Sequence, residues 1–177
     1  MKLSLACALA LMATTTVVCA QQSPAASESK TIGGKTITIT YNSPRVRGRE
    51  GKLFGKDGRI SQDSTYPVWR AGANRATKLQ TDADLDIGGL SVPAGAYSLY
   101  VDLSDPEAWT LIINKQTGQS GMTYDKAQDL GRVKMTMTKP PALVENLTYK
   151  ITDLGGGKGT LTLEWENVSA SVPIAVK

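Results

Sequence analysis

Residues 96–103 read AYSLYVDL, and this octet decides the fold class. Tyr97, Leu99, Val101 and Leu103 alternate with Ala96, Ser98, Tyr100 and Asp102. A period of two puts one set on a buried face and the other on the opposite face of a strand. The pattern recurs on both sides. Upstream, KTITITYN (35–42) sets Ile37, Ile39 and Tyr41 against Thr36, Thr38 and Thr40. Downstream, AWTLIIN (108–114), RVKMTMT (132–138), ENLTYKITDL (145–154), TLTLEWE (160–166) and VSASVPIAV (168–176) keep the same beat. In the last two, Leu161, Leu163, Trp165 and then Val168, Ala170, Val172, Ile174 and Val176 fall in step.

Turn signals separate the runs. Gly88-Gly89, Pro93-Ala94-Gly95, Ser104-Asp105-Pro106 and the glycine run at 155–157 each supply residues for tight reversals. About 8–10 short strands with a turn every ten residues or so predict an all-β protein, an antiparallel β-sandwich or flattened barrel with little helix. YDKAQDLGRV (124–133) is the one place for a helical turn, capped near Gly131. No repeat or second domain is visible, so residues 31–177 read as a single β-sandwich domain.

The N-terminus differs in kind. Lys2 precedes an apolar run from Leu3 to Val18, and Val-Cys-Ala (18–20) precedes Gln21. This is the pattern of a signal peptide over residues 1–20, cleaved after Ala20. The implied location is periplasmic or extracellular. A lipoprotein anchored through Cys19 is the less favoured alternative, because the β-branched Val18 stands where a small residue is wanted. The run falls short of the roughly 20 apolar residues of a membrane span, so no transmembrane helix is expected in the mature chain. Residues 21–30, QQSPAASESK, are small and polar and read as a flexible lead-in.

Composition removes whole classes of chemistry. The chain has no histidine, and its only cysteines are Cys7 and Cys19 in the leader. The mature domain therefore has no disulfide, thiol nucleophile, cysteine–zinc site or imidazole triad. No cofactor and no metal is expected. The formal net charge of +4 has a local source. Arg45, Arg47, Arg49, Lys52, Lys56 and Arg59 crowd into residues 45–59 against Glu50 and Asp57. An exported chain rarely meets nucleic acid, so the reading is a solvated basic loop or a patch for anionic partners.

Two acidic patterns invite functional readings. Asp82, Asp84 and Asp86 begin like a calcium loop, but Ile87 and Pro93 stand where glycine and glutamate are needed. On a strand they share one face and read as a solvent-facing acidic edge. Glu164 and Glu166 flank Trp165, and their i, i+2 spacing is that of a glycosidase carboxylate pair on one outer face or of an ordinary polar strand face. The sequons at Asn146 and Asn167 have meaning only in a eukaryotic secretory pathway.

The alternation fails in YPVWRAGANRAT (66–77). Trp69 is read as core. Arg70 is read as facing the opposite way, where its planar fork of donors meets a carboxylate, Glu164 or Glu166 being candidates. Gly72 suits a close approach or a positive φ, and Asn74 suits a braced corner. Two readings stay open. In one, the stretch only pins the fold. In the other, Arg70, Asn74 and Thr77 converge as donors for a small anionic or sugar-like ligand, with Trp69 beside them and Tyr97 or Tyr100 as a stacking wall.

YNSPRVRGR (41–49), VWRAGANRAT (68–77), VPAGAYSLY (92–100), WTLIINK (109–115), YD (124–125) and LTLEWENVSASVPIAV (161–176) follow one another in a set order and spacing. Together, from about Thr31 to Val176, they resemble the exported bacterial family labelled domain of unknown function 2911. The resemblance implies a signal-bearing, single-domain protein and carries no assigned activity. It also implies two departures. Relatives usually have glutamate where this chain has Arg75, so two neighbouring arginines would repel unless a carboxylate or an anion lies between them. GKDGRISQDST (55–65) replaces the family's usual approach to the tryptophan. The chain is thus expected to be a non-enzymatic binding or envelope-associated domain, with a glycan hydrolase or a purely structural module as alternatives. Its oligomeric state stays open.

Overall fold

A computed structural model describes residues 22–177. The predicted signal peptide and its cleavage point lie outside the described residues.

Thirteen strands form two antiparallel sheets. The first sheet contains β1 (Ala25–Ile32), β2 (Lys35–Asn42), β4 (Thr77–Thr81), β7 (Gly95–Asp102), β8 (Thr110–Asn114) and β9 (Asp129–Lys134) in that order, with the two-residue β3 (Val68–Trp69) also pairing with β7. The second contains β11 (Val144–Gly155), β12 (Lys158–Glu166), β13 (Val168–Val176), β5 (Leu85–Ile87) and β6 (Leu90–Val92), with β10 (Thr136–Thr138) on β13. The arrangement is a β-sandwich with no closed barrel. The core lies between the sheets and takes the inward residues of each alternating run, including Ile37, Ile39, Leu99, Val101, Leu161, Leu163 and Val172.

The chain changes sheets where the strand pattern looked continuous. RVKMTMT was expected as one strand. It breaks at the buried Met135, so that β9 pairs with β8 in one sheet and β10 with β13 in the other. The helical turn expected in 124–133 is a 3-10 turn at Lys126–Gln128, capped by Asp125 through the Ala127 N–H. Gly131 does not cap it. It lies within β9, where a Cβ would stand 2.5 Å from Leu90 Cδ1, so a larger residue there would have to push the Leu90 side chain aside.

The flexible lead-in is also corrected. Residues 25–32 are β1, paired with β2 from Ala25↔Asn42 to Ile32↔Lys35. Its side chains are mostly polar because it is an edge strand, and charge on an edge discourages further pairing. Two features hold it. Ile32 is fully buried, and Glu28 accepts a hydrogen bond from the Ile151 N–H of the opposite sheet at 3.3 Å.

The long basic segment is not simply solvated. Its charged groups face outward, but Val46, Leu53 and Ile60 are buried and Phe54 packs on the core. The segment folds across one end of the sandwich. Backbone bonds Arg59 N–Lys52 O and Ile60 N–Leu53 O close it on itself, and Val46 N–Glu145 O ties it to the second sheet.

If β1 is a structural strand, Ile32→Ala should cost about 2–5 kcal/mol, the usual range for emptying a core aliphatic site. Ser29→Ala, exposed on the same strand, should cost under about 0.5 kcal/mol. Urea denaturation of both variants checks this, and equal midpoints would return residues 25–32 to a mere lead-in.

Candidate functional site

The irregular stretch is an excursion from a single strand edge. Trp69 pairs with Val101 and Thr77 with Leu99, so only Tyr100 separates their partners on β7. Residues 70–76 intervene on the other side and must loop out. Ala71 (φ 53°) and Asn74 (φ 60°) take left-handed backbone to do so, whereas Gly72 does not. Gly72 sits in a tight place, since a Cβ would meet Thr77 Oγ1 at 3.0 Å and Asn42 O at 3.1 Å.

Internal hydrogen bonds fix the excursion. Trp69 Nε1 donates to Gly72 O at 3.1 Å, and Thr77 N donates to Arg70 O at 3.2 Å. The Thr77 hydroxyl and the Tyr149 hydroxyl both donate to Ala71 O at 2.9 Å. Burial holds the Tyr149 phenol above its ordinary pKa, against a smaller lowering from Thr77, so it stays a donor. Asn74 Nδ2 donates to Ser23 O at 3.2 Å, and Asn74 O accepts from Gly121 N at 3.1 Å. The corner is therefore braced, as the sequence suggested for Asn74.

Arg70 has a different partner from those expected. Its Nη2 meets Asp63 Oδ2 at 2.7 Å, with Arg70 at 15% and Asp63 at 12% side-chain exposure. Glu164 instead pairs with Lys150 Nζ at 2.6 Å. Glu166 is buried at the last position of β12, where its φ is 56°, and its carboxylate accepts the Gly51 N–H of the basic segment. The spacing rule for two glutamates on a strand fails because the second, at the end of β12, has left-handed backbone. Gly121 covers Arg70 from the far side: a Cβ there would lie 2.2 Å from Arg70 Cδ.

Arg70 lines a cleft of about 280 Å³ together with Trp69, Asn74, Trp165, Asp63, Arg49 and Arg59. Arg49 is anchored by donating to Val46 O and Arg45 O. Two donors of the cleft lining, Arg70 Nε and Trp165 Nε1, are buried with no acceptor. Arg75 does not line the Arg70 cleft; it lines a depression with Lys78, Ser98 and Gln119.

Of the six residues singled out in the sequence, Trp69, Arg70 and Asn74 meet at this cleft. Thr77 is fully buried and bonded to the loop backbone. Tyr97 is in the main core with its hydroxyl on Pro93 O. Tyr100 faces the other side of the same sheet, packed with Val68 and Ile112, its hydroxyl on Thr123 O. None of these three lines the cleft. Sequence reasoning missed Asp63, Arg49, Arg59 and Trp165 as cleft residues. The one available signal was the basic run.

A second polar cluster covers the outer face of the first sheet. Arg132 reaches Asp102 Oδ2 and Asp129 Oδ2, each at 3.0 Å, and donates to Tyr124 Oη, which donates to Asp129. Burial would raise the Asp102 carboxyl, but hydrogen bonds from Ser104 and the Arg132 guanidinium outweigh it and hold the group below its ordinary range. Two of the three aspartates at 82, 84 and 86 are engaged by backbone donors. Asp84 and Asp86 accept the Ala94 and Gly89 N–H groups, and no three acidic side chains converge in a metal-ligating cluster among the described residues.

The family model described as Protein of unknown function (DUF2911) matches residues 23–174. The chain belongs to this family. Its matched span includes both sheets, the excursion and every cleft residue named above. No curated protein and no solved structure matches the chain.

Gly121→Ala should displace the Arg70 side chain and destabilise the domain by about 1–3 kcal/mol, the cost of overpacking. Coupling between Arg70 and Asp63 in a double-mutant cycle should fall toward zero in that background. The Asp102 shift gives a pH signature. A lowered folded pKa stabilises above the unfolded value and is lost as pH falls through the folded one. The melting-temperature gap between the native chain and Asp102→Asn should thus hold down to roughly pH 4 and shrink below it.

Proposed function

We propose that this DUF2911 member is an exported, non-enzymatic binding domain, periplasmic or cell-envelope-associated, whose small anionic or sugar-like ligand occupies the Arg70 cleft. One observation carries the reading. Three arginines, Arg49, Arg59 and Arg70, line a cleft whose one carboxylate is Asp63, and two of its lining residues, Arg70 and Trp165, each carry a buried donor with no acceptor among the described residues. Buried donors are ordinarily satisfied, so those that are not point to a group that completes them. Tryptophan surfaces beside convergent polar groups are the usual make-up of a small-molecule site.

Export rests on the leader pattern at residues 1–20 of the sequence. No described helix is long and apolar enough to cross a membrane. The hydrolase alternative gains little from the geometry, because Glu164 and Glu166 are each engaged elsewhere and neither lines the Arg70 cleft. The structural alternative is favoured by one fact, the Arg70–Asp63 pair beneath Gly121.

Thermal-shift screening against sugars, peptides and small anions tests the binding reading. Arg59→Gln is the variant of choice, because Arg59 is exposed and bonds only Gln62 with its side chain. A stabilising compound should lose most of its shift in this variant. At a hundredfold excess over its Kd a ligand adds about 2.7 kcal/mol, so a true ligand is easily seen. An equal shift in both proteins would remove the cleft as the site. A mature N-terminus at Gln21, read by mass spectrometry of the secreted protein, checks export.

A further inference from the structure

Within the proposed binding cleft, the geometry points to a carboxylate as the ligand group, with Asp63 as an internal stand-in that the ligand displaces. The inference rests on the binding reading and narrows it. A guanidinium presents Nε–H and one Nη–H₂ along a single edge, and a carboxylate meets that edge with two parallel bonds. Asp63 uses it only in part: Oδ2 takes Nη2 at 2.7 Å, while Nε is buried without an acceptor. The fork is half filled.

The remaining lining fits the same chemistry. Trp165 is 4% exposed, and its Nε1 has no acceptor although the residue lines the cleft. Trp69 Nε1, by contrast, is satisfied by Gly72 O, so of the two tryptophans lining the cleft only Trp165 has an unpartnered indole donor among the described residues. Arg49 and Arg59 add positive charge around the cleft that Asp63 alone does not balance. Gly121 lies close on one side of Arg70: a Cβ there would stand 2.2 Å from Arg70 Cδ and 3.1 Å from Nη1. Asp63 sits differently. It follows the 3-10 turn Ile60–Gln62, on the surface segment that closes the sandwich end, and its carboxylate is held by Arg70. Both unpaired donors are buried in this state, and in the proposed exchange release of Nη2 by Asp63 opens them to an acceptor. An incoming planar carboxylate then occupies Nε and Nη2 together, and its remainder extends toward Arg49 and Arg59.

Sodium acetate is the minimal probe, titrated into the ¹⁵N-labelled protein against sodium chloride at matched ionic strength. The readouts are the Arg70 Nε–H and Trp165 Nε1–H resonances. Acetate should move both, chloride neither. In Asp63→Asn the half-saturating acetate concentration should fall roughly tenfold or more, because a tethered competitor acts at millimolar or higher effective concentration. Arg70→Lys should abolish the response of the Trp165 indole while the spectrum stays folded. Silence toward acetate in Asp63→Asn, or a half-saturation unchanged by that substitution, overturns the proposal. Saturation by inorganic phosphate well below acetate overturns the carboxylate assignment. Glucose moving the same resonances while acetate does not overturns it too, yet leaves the cleft as a binding site. No response to acetate, phosphate or glucose in either protein counts against both readings.

Discussion

The near-parallel stack of Trp69 on Trp165, with ring centroids 5.9 Å apart and 18° between planes, is the contact on which the rest of this end of the molecule depends. The two residues belong to different sheets, Trp69 to β3 and Trp165 to β12. Phe54 touches both edge-on and packs on Trp109 at 4.8 Å. All three tryptophans and the only phenylalanine of the chain therefore sit in one cluster. Aromatic pairs of this kind add about 0.5–1.5 kcal/mol each beyond the area they bury. More important here is position. The cluster closes the sandwich at the end where β3 gives out, and Trp69 and Trp165 form part of the cleft wall beside Arg70.

That position explains why the chain can leave the sheet at residue 70. A strand edge interrupted for seven residues would expose backbone donors and acceptors, which must find partners. They do so locally. Ala71 O takes two hydroxyls, Gly72 O takes an indole, and Asn42 O takes the Ala73 N–H. Thr77 and Tyr149 thus serve the excursion from beneath. This is the physical reason that Thr77 is not at the cleft surface, although its place in the motif made it a natural donor.

The period-two runs were readable because each has one buried face, and burial is what imposes the alternation. The core assignments of Leu99, Val101, Leu163 and Val172 follow directly. β1 escaped notice because an edge strand buries little, and only Ile32 of its eight residues is fully inside. The break at Met135 escaped because a strand that passes from one sheet to the other keeps its alternation. For the site, local chemistry was legible and partnership was not. Trp69, Arg70 and Asn74 were visible from their types and from the lapse in pattern. Asp63 was not, because it lies in a glycine- and serine-containing segment with no periodicity, and nothing in a sequence states which of sixteen acidic residues folds back onto a given arginine.

The basic segment shows how a one-dimensional feature gains meaning from folding. In sequence it is a run of like charge, which ordinarily means a solvated loop. Folded, its apolar members Val46, Leu53 and Ile60 are buried, and Phe54 joins the aromatic cluster. Burying these residues fixes the path of the backbone between them, and that path brings Arg49 and Arg59 to the same cleft as Arg70. Glu166 and Asn167 at the β12–β13 turn hold the segment at Gly51 and Glu50. The glutamate beside Trp165 thus acts on the cleft at one remove. It anchors the loop that carries the charges, and its left-handed backbone is the conformation that turns its carboxylate toward that loop. The same tryptophan hairpin that closes the core therefore also sets where the positive charge stands.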